Sequence, residues 1–213
     1  MVSLNKGLLT AALCSATLML APALAQATTY PSIAQHTPAK AAPQSATSSE
    51  IAKTLKSAML TDARFTMRRT MAAAGLTITS RGEVHKKADG NWIWDQKTPF
   101  PQRIELTNDE MLLSMAGDPV QVMRLDSNPT LYALVATLKA LLRLDMATLE
   151  RTFTVDNFVH GAPGEAWVLH LLPKDPVFQK ILRDVTLSGS QKLERVVFID
   201  RNGDKTDIAF APF

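Results

Sequence analysis

The hydrophobic positions of this chain follow two periods, and the switches between them lay out its architecture. Residues 64–71 alternate, with Phe65, Met67 and Met71 on one face and Arg64, Thr66, Arg68 and Thr70 on the other. Period two marks a strand with one buried face. Residues 72–75 turn the chain, and 76–86 alternate again through Leu76 and Ile78. Asp89-Gly90 has hairpin-turn chemistry, because glycine reaches positive φ without a clash. Trp92 and Trp94 then stand two apart, which puts both indoles on one face of the next strand. Pro99 and Pro101 interrupt the ladder, since proline has no N–H to donate. Ile104 and Leu106 open another alternating run. Residues 111–116 and 120–125 follow, bounded by Asn-Asp, Gly-Asp-Pro or Asp-Ser-Asn-Pro.

The period changes at Pro129. Leu131, Leu134, Val135, Leu138, Leu141 and Leu142 recur at helical spacing and predict a helix of about four turns, with Lys139 and Arg143 on its other side. Asp145 or Thr148 is placed to cap a second short helix before Phe153. Strands resume at 152–159, 165–172, 184–188, 192–200 and 205–211, with a helical turn at 176–183 and a hairpin at Asn202-Gly203. Thr47 and Glu50 form a capping box ahead of Ile51, Leu55, Ala58 and Met59, which predicts a helix over 48–60. The sum is a mainly β (α+β) fold. It is a strongly curved antiparallel sheet of about eleven strands, an incomplete β-barrel, with an N-terminal helix and a helical lid. A helical insert in a meander has to bury its stripe on the open face of the sheet. Residues 131–144 are therefore expected to act as a mobile lid.

The N-terminal end reads differently. Residues 1–25 have a basic start at Lys6, an apolar run over 7–22 too short for a membrane span, and an Ala-Leu-Ala cleavage site at 23–25. This is the pattern of a secretory signal peptide. Cys14, the one cysteine, lies inside it behind Leu13 rather than a small residue, so no lipid-modification site is expected and the mature chain is free of disulfides. Residues 26–47 are rich in Ala, Pro, Thr and Gln without periodicity and read as a disordered tether, leaving 48–213 as one folded domain. The formal net charge of +3, one unit of it from Lys6, and the lack of a dense basic run give no nucleic-acid signal.

The segment around the two tryptophans resembles the LolA-like periplasmic lipoprotein carriers of Gram-negative bacteria. Members carry Gly-acidic, a short strand, Lys-Arg-Pro, an alternating aromatic pair ending in Trp, an acidic or polar residue, and a Pro a few positions on. Here Gly82-Glu83, Lys87, Trp92, Trp94, Asp95 and Pro99 fall in that order. Asn108-Asp109 sits where the family has Asp-Gly, and Leu113 where it often has Trp. The resemblance implies an eleven-stranded half-barrel with a helical lid over an apolar cavity. It also implies an Arg that bonds the closed lid. Ala88-Asp89 replace the Arg-Pro step, so Lys86 and Lys87 are the nearest cations for that contact.

No G-x-S-x-G, P-loop, H-E-x-x-H or cysteine cluster occurs, and the histidines His36, His85, His160 and His170 are never at metal-ligand spacing. No cofactor or metal is expected. Residues 200–204 (DRNGD) faintly suggest a calcium loop, but the glycine comes too early and no Glu closes it, so a hairpin is expected. A hydrolase would need an inward polar dyad, for which His85 and His170 with Asp95 are the only candidates; His170, on a strand apolar on both faces, reads as a core histidine.

What the sequence does hold is apolar excess. Met67, Met71, Met111, Met115 and Met123 lie on early strands, and methionine suits surfaces that receive variable apolar partners. Phe65, Met67, Met71, Trp92, Trp94, Met111, Leu113 and Met115 are the expected cavity residues, and the Leu131–Leu142 stripe the expected lid. The expectation is a monomeric, non-enzymatic periplasmic carrier. It shields the acyl chains of a lipoprotein or related lipid between an inner-membrane donor and an outer-membrane acceptor. A carrier for another hydrophobic product, such as a polyene or a glycolipid, is the alternative.

Overall fold

A computed structural model describes residues 47–115, 117–162 and 165–213. The expected leader and tether lie outside the described residues, apart from Thr47. That residue is the N-cap of α1 (Ser48–Leu55): the Thr47 hydroxyl accepts from the Glu50 N–H, and the Glu50 carboxylate accepts from the Thr47 N–H at 2.7 Å. The helix is shorter than 48–60. Ala58 N–H bonds back to Leu55 O, then Ala58 O accepts from Leu193 N–H at 2.7 Å and Leu60 N–H donates to Leu142 O at 2.9 Å. Bonds to distant segments replace the last helical turn.

Eleven strands follow: β1 (Ala63–Met71), β2 (Leu76–Lys86), β3 (Trp92–Thr98), β4 (Gln102–Leu106), β5 (Glu110–Met115), β6 (Gln121–Arg124), β7 (Phe153–His160), β8 (Trp167–Pro173), β9 (Leu182–Gly189), β10 (Leu193–Asp200) and β11 (Lys205–Ala211). They make one antiparallel sheet, ordered β6-β5-β4-β3-β2-β1-β11-β10-β9-β8-β7, that is not closed into a barrel. The pairing of β1 with β11 joins two meanders, so β6 and β7 become opposite edges. The segment between them has to cross the sheet. It does so as α2 (Pro129–Arg143) and α3 (Met146–Thr152). A short α4 (Pro176–Gln179) links β8 to β9.

The turns obey the chemistry read from the sequence. Gly90 takes φ +83° in the β2–β3 hairpin and Gly203 φ +86° in the β10–β11 hairpin. The Asp200 carboxylate accepts the N–H groups of Asn202 and Asp204, which is a hairpin role. β3 stops at Thr98 and β4 starts at Gln102, on either side of the two prolines. Asn128 caps α2 by accepting from Leu131 N–H at 3.0 Å, with Pro129 at the first position, and Asp145 caps α3 as expected.

The face of the sheet that meets the helices, here the inward face, carries the core. Register places Phe65 beside Phe210 and Gly82, Trp94 beside Val84 and Ile104, and Trp92 beside Leu106. On the other half Leu169 stands opposite Leu187, and Leu187 opposite Val196. One expectation fails here. The strand apolar on both faces, on which His170 was expected in the core, is covered on one face alone: Val168 and Leu172 on the outward side are 39% and 37% exposed. Only Trp167, Leu169 and Leu171 are buried.

Candidate functional site

The inward face of β1–β6 is the candidate site. Period two does the positioning: Phe65 and Met67 on β1, Trp92 and Trp94 on β3, Met111 and Leu113 on β5 all point to the helices. Phe65, Met67, Trp92, Trp94 and Met111 are all under 6% exposed and share one cluster with the α2 stripe; Leu113 and Met123 are half-buried and pack against it. The Phe65 and Trp94 rings lie 4.1 Å apart, tilted by 30°, and Phe210 meets Trp94 edge-on at 6.3 Å. Met71 and Met115, nearer the opposite strand ends, are half-buried and stand outside that cluster.

Over this surface lies α2. Leu131, Leu134, Val135, Leu141 and Leu142 are buried, and Leu138 is half-buried against the same cluster. Its polar tie to the sheet is a residue assigned to the wrong side by the sequence reading. Lys139 is buried, at 9% exposure, and its Nζ donates to Thr107 O and Asn108 Oδ1, each at 3.1 Å, in the β4–β5 turn. Burial holds its pKa below the ordinary lysine value, aided by Arg143 and opposed by Asp89 and Asp109. Arg143 does face outward and bonds Asp145.

The two lysines expected at the lid are engaged elsewhere. Lys87, in the β2–β3 turn, bonds Glu105 Oε1 on β4 through its Nζ at 2.7 Å, and Lys86 is exposed, its backbone N–H donating to Asp62. Among the described residues neither bonds α2. The cation that ties α2 to the sheet is Lys139 on the helix itself, and the β4–β5 turn supplies its acceptors.

Three residues missed by the sequence reading sit on the same inward face toward the β3–β4 end. Ser80, Gln96 and Gln102 are 6%, 2% and 5% exposed. Gln96 and Gln102 are direct cross-strand partners. Arg69 joins them on β1, its Nη2 3.3 Å from Asp204 Oδ2. The signal was available: Gln96 continues the Trp92–Trp94 alternation, and Gln102 precedes Ile104 and Leu106 by the same step. Three buried side-chain atoms lack a hydrogen-bond partner among the described residues: Arg69 Nε, Trp92 Nε1 and Glu150 Oε1. An unpaired buried donor costs about 1–3 kcal/mol.

The candidate catalytic groups are not brought together. Asp95 faces outward to Lys97 and Arg103. His85 lies between Asp62 and Glu83 and stacks on Phe213. His170, read as a core histidine, is on the outward face with Nδ1 2.8 Å from Asp156 Oδ2. Among the described residues no group of His, Cys, Asp and Glu has the arrangement of a metal site, and no helix is long and apolar enough to cross a membrane.

The arrangement is an open antiparallel sheet whose aromatic and methionine-rich face lies under an amphipathic helix. The family model for "Outer membrane lipoprotein carrier protein LolA-like" matches residues 40–209. The chain belongs to that family. Among solved structures it is similar to a LolA superfamily protein from Nitrosomonas europaea, at 12% identity and a TM-score of 0.43, over 78% of this chain and 92% of that one. It is also similar to LprF from Mycobacterium bovis, at 13% and 0.38, over 79% and 93%. A third is a putative outer membrane lipoprotein-sorting protein domain from Vibrio parahaemolyticus, at 12% and 0.39, over 76% and 89%. No curated protein matches.

Proposed function

We propose that the protein is a non-enzymatic periplasmic carrier that shields acyl chains of a lipoprotein or related lipid between the β1–β6 face and α2. It receives them from an inner-membrane donor and releases them to an outer-membrane acceptor. The observation that carries this reading is the composition of one face. Methionine and tryptophan concentrate beneath the helix that spans the sheet, and methionine adapts to apolar partners of variable shape. Membership of the LolA-like family supports it.

The energetics are adequate. At roughly 0.8 kcal/mol per buried methylene, a single long acyl chain supplies ample affinity. The α2 stripe covers the same residues that the chain would cover, so lid closure and cargo compete. That competition makes release possible without an energy source inside the protein. A tether made of two hydrogen bonds from Lys139 is weak enough to open.

The test is native mass spectrometry and lipid extraction of protein purified from the periplasm, together with binding of a fluorescent acyl probe. The proposal expects an acylated lipid to co-purify and to displace the probe. Protein that carries no lipid and binds no probe would sink it.

A further inference from the structure

We infer that the polar row at the β3–β4 end of the inward face is a headgroup subsite, which receives the uncharged acyl carbonyls of an ester-linked lipid. The inference rests on the carrier reading and names the cargo more closely.

Buried amides on a lipid-facing surface need an explanation, because each costs free energy unless paired. Gln96 and Gln102 are cross-strand neighbours at 2% and 5% exposure, and Ser80 is 6% exposed on β2. Gln96 Nε2 donates to Phe100 O at 2.9 Å, which fixes its amide and turns its carbonyl away from that bond. The Gln102 amide and the Ser80 hydroxyl make no side-chain hydrogen bond to another described residue. Arg69, on the neighbouring strand, has one nitrogen on Asp204 and a buried Nε–H with no partner. The row therefore offers unengaged donors from Gln102, Ser80 and Arg69. It adjoins the Phe65–Trp94 surface directly: Gln96 is two residues from Trp94 on one strand, and Gln102 is two from Ile104 on the next.

The chemistry selects the ligand. Donors next to a buried apolar surface match acceptor oxygens attached to alkyl chains. Asp204 already balances the Arg69 charge, so the row suits a neutral carbonyl better than a free carboxylate. A diacylglyceryl group presents two such carbonyls at the head of two chains.

Competition against the fluorescent acyl probe tests this with three lipids: dipalmitoylglycerol, the matching dihexadecyl ether, which lacks only the carbonyls, and stearate. Wild-type protein should prefer the diester over the diether by about tenfold, the size of one net hydrogen bond gained. Gln102→Leu should abolish that preference, so that diester and diether bind alike, and measurable binding of the diether by the variant shows that the apolar surface is intact. Ser80→Ala, a smaller change, should reduce the preference in the same direction. Equal binding of diester and diether by the wild type, or a preference that survives Gln102→Leu, overturns the inference and leaves the carrier reading standing. Stearate binding more tightly than the diester would reveal a carboxylate site and also overturn it. Binding of none of the three would overturn the carrier reading, and the headgroup subsite with it.

Discussion

The two halves of the inward face are built from different materials. Under α3 and α4, strands β7–β10 present Phe153, Leu169, Leu171, Val185, Leu187, Leu193 and Val196, all 0–2% exposed. Phe178 on α4 packs against Phe153 with ring centroids 5.7 Å apart and planes tilted by 58°. These are fully buried residues with few rotamers, the choice expected for a fixed core. Under α2, strands β1–β6 present Trp92, Trp94, Met67 and Met111, then half-buried Leu113 and Met123, and a row of buried amides. Flexible side chains, graded burial and unspent hydrogen-bond capacity are poor choices for a core that never opens. They suit a surface that is repacked. On the proposed reading, one sheet serves as scaffold on one side and as binding surface on the other, with β1 and β11 as the seam.

This contrast can be broken by mutation, and the largest effect is expected on the scaffold side. Leu187→Ala deletes a side chain with no exposed area and should cost about 2–5 kcal/mol in urea unfolding. Acyl-probe affinity of the folded fraction should not change. If affinity fell with stability intact, the division between the halves would fail.

Next comes Trp92→Glu, on the binding side. A lone carboxylate among apolar groups is costly, so probe binding should be lost. The fold should survive with a smaller loss of thermal stability than Leu187→Ala, because the lid can lift and let water reach the charge. Unfolding by several kcal/mol would instead mark this face as fixed core.

The lid tie is weaker. Lys139→Ala should cost about 1–2 kcal/mol and raise hydrogen exchange selectively in Pro129–Arg143. The sign of the pH effect follows from burial. The closed lid holds Lys139 below its ordinary pKa of 10.5, so it binds fewer protons there than the open form does. Closure should therefore strengthen as pH rises through the window just below that value, and Lys139→Met should remove the dependence. A dependence that persists in Lys139→Met would assign it to another group.

The smallest effect is expected on the outward face, where Arg195 Nε bonds Asp207 Oδ1 at 2.8 Å. Burial pushes the Asp207 carboxyl up, but the bonds and charge of Arg195 outweigh it and leave the net shift downward. The pair's contribution is present above the ordinary value of 3.8 and is lost as pH falls through the depressed one. At a half-exposed pair it should be under about 1 kcal/mol, read as the difference in acid unfolding between wild type and Asp207→Asn.

Much of this was legible in the chain. Strand faces follow from period two, so Phe65, Met67, Trp92 and Trp94 could be placed together before any coordinates. The edge-to-edge crossing of α2 was less so: a meander broken by a helix predicts a cover, but the β1–β11 pairing that makes β6 and β7 the two edges is a long-range choice. Lys139 shows how residue type can mislead. It stands four residues after Val135, on the buried face, but a lysine reads as solvent-facing until a turn with free carbonyls is found beneath it. The buried amides were passed over for the same reason. His170 went the other way, assigned inward because its neighbours are apolar, although Val168 and Leu172 lie outward with it.

The chain's three tryptophans divide between the halves, with Trp92 and Trp94 under α2 and Trp167 on the scaffold side, its indole N–H fixed on Ser190 O at 2.9 Å. Dibrominated stearic acid quenches only indoles that it touches or nearly touches. Two proteins are needed: one keeping Trp92 alone (Trp94→Phe, Trp167→Phe) and one keeping Trp167 alone (Trp92→Phe, Trp94→Phe). The account predicts saturable quenching of Trp92 emission and unchanged Trp167 emission at the same lipid concentrations. Quenching of Trp167 equal to or greater than that of Trp92 would contradict it.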